Sequence, residues 1–207
     1  MGKILLLNLR RVSTEVVTDT ARIIRRGGVI LYPTDTIYGL GCNATDEQAI
    51  ARIFKIKKRA EIKPMLVLVR NLTMLQDLVI DIPSLAHELA KRFWPGPLTM
   101  LFYAKSNVGS LFTAGSGKIG IRIPNNNFCL RLIKECRTPI VSTSANISGH
   151  PVSDVHSLKQ LFIDKVDGFV DAGNVQSVPS TIIDITGKSL KIVREGSITV
   201  RELSKYS

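Results

Sequence analysis

The groups in this chain best equipped for chemistry fall in three short polar runs, each directly after an apolar stretch or among short apolar runs. The first is Tyr32-Pro33-Thr34-Asp35-Thr36-Ile37-Tyr38-Gly39-Leu40-Gly41, following Val29-Ile30-Leu31. The second is Ser142-Thr143-Ser144-Ala145-Asn146-Ile147-Ser148-Gly149, following Ile140-Val141, and the third is Pro179-Ser180-Thr181. They offer hydroxyls, amides and backbone N–H groups beside small residues, the equipment of an anion nest. In an open α/β sheet the turn after a strand is where ligands bind. Gly39 and Gly41 would let backbone come close to such a ligand. The same residue types also build ordinary connections and Ser-rich loops, so composition alone leaves both readings open.

Cations complete the set. From Asp46 to Lys57 an apolar stripe runs through Ile50, Ile53 and Phe54, and its helical spacing carries on to Lys57. Either the helix has ended by then, or an ammonium points inward and needs an anion. Lys55 and Lys58 fall off the stripe and can be solvated. Arg59 and Lys63 follow, and a planar guanidinium among point charges suits phosphate. Arg122 stands inside the apolar run Ile119 to Ile123, and Arg194 follows Ile192-Val193. A strand arginine is more often paired or surface-lying than in contact with a ligand. The chain has no G-x-x-x-x-G-K-[ST], G-x-G-x-x-G or G-x-S-x-G run and no Cys and His in a clear pair. Cations, hydroxyls and amides suit nucleotidyl transfer, where positioning and charge neutralisation do most of the catalysis.

Those groups need alternating strands and helices to place them. Apolar periodicity predicts strands at Ile4 to Leu9, Val29 to Tyr32, Met65 to Val69, Leu98 to Tyr103, Ile119 to Ile123, Ile140-Val141, Phe169-Val170, Thr181 to Ile185 and Leu190 to Val193. It predicts helices over Thr14 to Arg26, Asp46 to Lys57, Pro83 to Trp94, Phe128 to Cys136 and Ser153 to Ile163. Interspersed in this way, with no repeat and no linker, they predict one α/β domain over 1–207 on a twisted mixed sheet with helices on both faces.

Composition narrows the function classes. Apolar residues make up 44% of 207, enough for a sizeable core. With 28 Lys+Arg against 17 Asp+Glu the net charge is +11, which calls for an anionic partner. Cys42, Cys129 and Cys136 have neither disulfide nor zinc spacing, and His87, His150 and His156 likewise give no metal site. The cysteines fit a reducing cytosol. The run Met1 to Leu7 is too short for a signal peptide, and no apolar run reaches membrane-spanning length. A cytosolic chain is therefore expected, in which the sequons at Asn71 and Asn146 have no meaning.

Taken together, the motifs resemble the threonylcarbamoyl-AMP synthase family, the YrdC-like domain. The matching segments are YPTDTIYGLG, Lys57-Lys58-Arg59, Lys63-Pro64, FWPGPLT from Phe93, GIRIP from Gly120, STSANISG from Ser142, PSTIIDI from Pro179 and VREGSI from Val193. They cover about Ala21 to Ile198. The resemblance implies a YrdC-like fold with a basic concave cleft. It also implies ATP, L-threonine and bicarbonate as substrates, and threonylcarbamoyl-adenylate and pyrophosphate as products. The adenylate would serve separate transferase proteins that modify the adenosine beside the tRNA anticodon. Matched to the motifs, Lys57, Arg59, Lys63, Lys118, Ser144, Asn146 and Arg194 would contact ATP, with Lys57 and Arg59 catalytic. Thr36, Arg122, Ser142 and Ser180 would hold threonine or its carbamate. Mg²⁺ would sit on the phosphates rather than in a protein cage. Two positions depart from the family: Ala60 stands where a Pro often follows the cationic motif, and Leu68 where a His helps bind threonine. Longer members carry a further C-terminal domain, which a chain of this length is not expected to hold.

A second class competes with the enzyme: a YrdC-like module, or paralogue without synthase activity, whose basic face binds double-stranded RNA or tRNA. The charge fits both, since RNA backbone and nucleotide phosphates each call for cations. Aromatic residues are only 6%, so no base-stacking platform is evident. The short polar runs after strands favour the enzyme. On this reading Arg59→Ala and Lys57→Ala each weaken ATP binding by the worth of one charge-assisted contact, roughly 1.5–3 kcal/mol, in a calorimetric titration. A lowered melting temperature with ATP affinity unchanged would remove the phosphate assignment.

Overall fold

All the described α-helices but the one after Pro83 start where a short polar side chain takes up one of the first free amides. Ser13 accepts from Val16 N, Asp46 from Ala49 N, Asn71 from Met74 N, Asn126 from Cys129 N, Asp154 from Ser157 N and Thr199 from Glu202 N. The computed structural model describes residues 2–58, 65–109, 113, 115–146, 154–175 and 178–206. Among these the helices are α1 (Thr14–Arg25), α2 (Glu47–Lys57), α3 (Leu72–Gln76), α4 (Ser84–Phe93), α5 (Asn127–Cys136), α6 (Val155–Phe162) and α7 (Val200–Leu203). The strands are β1 (Lys3–Leu6), β2 (Ile30–Tyr32), β3 (Gly39–Gly41), β4 (Leu66–Leu68), β5 (Leu98–Tyr103), β6 (Lys118–Arg122), β7 (Ile140–Val141), β8 (Thr143–Ser144), β9 (Gly168–Asp171), β10 (Thr181–Asp184) and β11 (Lys191–Arg194).

The strands divide between two mixed sheets, where their order along the chain predicted one. One sheet runs β1-β9-β2-β3-β8 and the other β11-β10-β5-β6-β4-β7. The sheets part at Ser142. Its amide donates to Leu66 O in the six-stranded sheet, and the next residue, Thr143, pairs with Leu40 in the five-stranded one. Two apolar cores follow. Alternate residues of β2 and β9 face opposite ways. Ile30, Tyr32 and Val170 join Val17, Ala21 and Ile24 of α1 and Phe128, Leu132 and Ile133 of α5. Leu31 and Phe169 join the larger core between the sheets, with Ile50 and Ile53 of α2, Leu89 of α4 and Phe162 of α6.

The first polar run also differs from expectation. It is not a strand-to-helix turn but a hairpin, β2 and β3 pairing antiparallel with Tyr32 opposite Gly39. Gly39 and Gly41 lie in β3 and make room for protein, not for a ligand. A Cβ on Gly41 would stand 2.5 Å from Tyr32 Cε1 and 2.7 Å from Val141 O. Gly41→Ala therefore forces the Tyr32 ring and the β3–β7 contact apart. Overpacking of this kind costs about 2 kcal/mol. A thermal melt should fall by roughly 5 °C for a chain of this size; an unchanged melt would mean that the hairpin accommodates the methyl.

Candidate active site

The six-stranded sheet carries one row of side chains across its strands. Arg194 of β11 pairs with Ile182 of β10, and Ile182 with Thr99 of β5. On the other side Arg122 of β6 pairs with Leu68 of β4, and Leu68 with Ile140 of β7. The β5–β6 register, Met100 to Ile121, brings Thr99 and Arg122 together at the next step. The face opposite this row is closed: Leu98, Met100, Phe102, Ile119, Ile121 and Ile183 belong to the larger core. The row's own face is closed at the β4–β7 end, where Leu68 and Ile140 belong to the smaller core, and less covered elsewhere, with Leu66, Leu101 and Ile182 only half-buried. Gly120, two residues before Arg122 on the same face, leaves a slot in which a Cβ would touch Thr99 Cγ2 and Leu101 Cδ2 at 3.4 Å.

Arg122 is the decisive group. It is 1% exposed, a full guanidinium out of water. Its Nη1 donates to Asp35 Oδ1 at 3.0 Å, and Asp35 Oδ2 accepts from Asn125 N at 3.0 Å. Arg122 Nε has no hydrogen-bond partner among the described residues. A buried donor left unpaired costs about 1–3 kcal/mol, which a ligand acceptor would recover. Asp35 comes from the β2–β3 loop, whose shape is set by Thr34. The Thr34 hydroxyl donates to Ile37 O at 2.7 Å and accepts from Thr36 N at 3.1 Å. Thr34 has then spent its proton, so in the 3.0 Å contact between the two hydroxyls Thr36 is the donor. The remaining capacity of Thr36 Oγ1 is for accepting, which suits an amine or a carbamate N–H.

Beyond Thr99 the row ends in a second knot. Thr99 Oγ1 and Ser180 Oγ are 3.0 Å apart. Arg194 reaches Ser180 O from both Nε and Nη2, at 3.2 and 2.7 Å. Partial burial, and after it the charge of Arg122, lower the Arg194 guanidinium below its ordinary value. Two cations that disfavour each other in this way favour an anion between them. Ser142 stands at the parting of the sheets, where a Cβ on Gly39 would lie 3.0 Å from its Oγ.

Lys57 resolves the alternative left by the sequence on both sides. The helix does end there, with Lys58 in the left-handed region at φ 48°. Lys57 is nevertheless buried, 3% exposed, and its ammonium is met. Its Nζ donates to Ser144 O, to Asn146 O at 3.0 Å and to Asn146 Oδ1 at 2.8 Å. Ser144 Oγ donates to the same Oδ1 at 2.6 Å. Three of the residues expected at ATP thus form one cluster, in which Lys57 anchors the segment after β7. Lys118 stands apart from Arg122, four residues along β6 or about 13 Å. It pairs with Asp184 at 2.7 Å and lies 5.7 Å from the Tyr103 ring centre. Burial raises the Asp184 carboxyl, but Lys118 and Thr186 outweigh it and hold the group below its ordinary value. Arg59, Lys63 and Ala60 lie outside the described residues.

Asp35 and Thr99 stand within the matched motifs, but the sequence alone assigns neither a role. The signal was a carboxylate two residues after Pro33 and a lone hydroxyl in an apolar strand. A cavity of about 380 Å³ lies on the other side of Asp35, between Asn125, Phe128 and Val175. No Lys or Arg is among the residues lining it. The three cysteines are buried and free, and burial pushes each thiol up, away from nucleophile chemistry. Among the described residues no helix is long and apolar enough to cross a membrane.

Residues 22–196 match the Sua5/YciO/YrdC family model, described as "Telomere recombination". The chain belongs to that family. A threonylcarbamoyl-AMP synthase of Pyrococcus abyssi is 36% identical over 204 residues, 97% of this chain and 60% of the relative. The structure of P. abyssi Sua5 complexed with L-threonine is similar at TM-score 0.93 and 35% identity, covering 98% of this chain and 60% of that one. E. coli YciO is similar at TM-score 0.90 and 28% identity, covering 98% of this chain and 99% of its own. This chain thus spans about 60% of the length of the P. abyssi protein.

In this member of the Sua5/YciO/YrdC family the Lys57 cluster ties the end of α2 to Ser144 and Asn146. Lys57→Met should strand the acceptors of Ser144 and Asn146 and cost about 2 kcal/mol in urea denaturation. Stability equal to that of the parent would mean that the ammonium does not hold the segment.

Proposed function

We propose that the chain is an L-threonylcarbamoyladenylate synthase that joins ATP, L-threonine and bicarbonate on the open face of the six-stranded sheet. One observation carries the reading: Arg122, buried and held on one side by Asp35, keeps an unpaired Nε beside Thr99. A free carboxylate is the ligand that such a group fits, since a planar guanidinium edge takes it in two parallel hydrogen bonds. The similarity to the P. abyssi protein complexed with L-threonine supports the same choice.

On this reading Arg122 takes the threonine carboxylate, and Thr36, Ser142 and Ser180 orient its amine and hydroxyl. Leu68, fully buried and paired with Arg122, offers no hydrogen bond where the family's His would stand. The amino acid then depends on Arg122 and the hydroxyls alone. Lys57, Arg59, Lys63, Lys118, Ser144, Asn146 and Arg194 serve ATP. Phosphate oxygens compete with Ser144 and Asn146 for Lys57, so nucleotide binding is coupled to the segment after β7. Mg²⁺ is proposed on the ATP phosphates, where it would offset their charge.

The chemistry asks little of the protein. Threonine's amine and bicarbonate lose water to give a carbamate. A carbamate oxygen then bonds to the α-phosphorus while the bond from that phosphorus to the bridging oxygen breaks, and pyrophosphate leaves. The nucleophile is already anionic and needs no base. Cations offset its repulsion from the phosphates, which is the part electrostatic preorganisation plays. The adenylate would pass to separate transferase proteins acting on tRNA, in the cytosol.

The test is incubation with ATP, L-threonine and bicarbonate followed by assay of pyrophosphate. Threonine-dependent release is expected; its absence would leave the RNA-binding module. Arg122→Lys should raise KM for threonine at least tenfold more than KM for ATP, about 1.4 kcal/mol, because an ammonium lacks the planar fork. Equal effects on both constants would show that Arg122 is not the anchor.

A further inference from the structure

We infer that Asp35 is a positioning residue that decides which edge of the Arg122 guanidinium meets the substrate carboxylate. A guanidinium can take a carboxylate end-on, through Nη1 and Nη2, or side-on, through Nε and Nη2. Asp35 Oδ1 accepts from Nη1 at 3.0 Å and so engages one of the two nitrogens that an end-on carboxylate needs. The unpaired atom is Nε, on the side edge. Asp35 cannot swing away freely, because its other oxygen accepts from Asn125 N just past the end of β6. One carboxylate thus joins the β2–β3 loop to β6 and turns the guanidinium about its own strand.

The pair is nearly out of water, with side-chain exposures of 2% for Arg122 and 9% for Asp35. At that burial an ion pair holds its geometry, since breaking it leaves a bare charge in a poor solvent. Asp35 also carries a cost: a fixed negative charge near the incoming carboxylate repels it. A residue serving attraction alone would not be an acid. Its presence is accounted for by orientation: with Nη1 held by Asp35, Nε and Nη2 are the pair of donors left for a ligand. The same constraint would discriminate among ligands: an amino acid with a free carboxylate fits two parallel donors, whereas its amide presents one acceptor and one clashing donor.

This inference rests on the threonine-binding reading, and the experiment separates the two. L-threonine and L-threonine amide are titrated calorimetrically into the parent chain, Asp35→Ala and Asp35→Asn, with a non-hydrolysable ATP analogue as control. The parent should prefer threonine to the amide, and that preference should fall about tenfold in Asp35→Ala while the ATP analogue binds within about twofold. Asp35→Asn, which keeps an acceptor for Nη1, should fall between. A structural role alone would weaken all three ligands together. In ¹⁵N-arginine spectra of the parent chain, threonine should shift the Nε–H signal that Arg122→Lys removes and slow its exchange with solvent; this readout stands even if Asp35→Ala does not fold. Threonine binding that tightens in Asp35→Ala, or an unmoved Nε–H signal, would overturn the inference while leaving the function intact. Failure of the parent to bind threonine would overturn both.

Discussion

The contact between Arg122 and Asp35 is the constraint on which the arrangement of the site depends. It is an ion pair removed from water, and its net contribution to stability is close to nothing, because desolvation offsets most of the Coulomb gain. Its value lies in what it fixes. Arg122 ends a strand of the six-stranded sheet, and Asp35 belongs to a loop of the five-stranded one. Their bond sets where the two sheets meet at this end and at what angle the guanidinium is presented. Losing either partner would strand a buried charge, at a cost of about 3–5 kcal/mol.

The rest of the site follows from the parting of the sheets at Ser142. A single chain leaves β7 in one sheet and enters β8 in the other, with the amide of Ser142 still held by Leu66 O. Opening the sheets there leaves the Arg122 face partly uncovered, while the alternate residues of β5 and β6 stay in the core. Lys57 closes the other side, fixing Ser144 and Asn146 as the chain moves off. Cations and hydroxyls are therefore held from two sheets and one helix end, and little has to reorganise when charge develops in a transition state.

Much of this was legible in the sequence, and the reasons it was not complete are physical. Apolar period and caps located the long helices and the buried strands to within a residue or two, because burial of one face leaves a plain signal, whereas β1 ends at Leu6 and not at Leu9. The short helix at Val200 announces itself only by a capping box, Thr199 with Glu202, since its four residues are too few for an apolar period. Strands β3 and β8 were not readable: one has glycine at two of its three positions, and the other has two residues, Thr143 and Ser144. Their pairing is imposed by tertiary contacts, and the glycines report the nearness of Tyr32 and Val141. The split into two sheets is equally non-local. Among site residues, helical spacing left an inward Lys57 as one of two readings and a strand Arg122 as paired or surface-lying; the structure buries both, at 3% and 1% exposed. What each would touch was hidden, since Ser144 and Asp35 are 87 residues away in sequence from Lys57 and Arg122 respectively.

The central claim is that the substrate lies on the Arg122 row of the six-stranded sheet and not in the neighbouring asparagine-lined cavity. A crystal structure of the chain with L-threonine and a non-hydrolysable ATP analogue tests it most directly. The account predicts the threonine carboxylate at hydrogen-bonding distance from Arg122 Nε, above Gly120 and Thr99, with phosphate oxygens drawn toward Lys57. Threonine bound between Asn125 and Val175, with the Arg122 edge still unpaired, would contradict it.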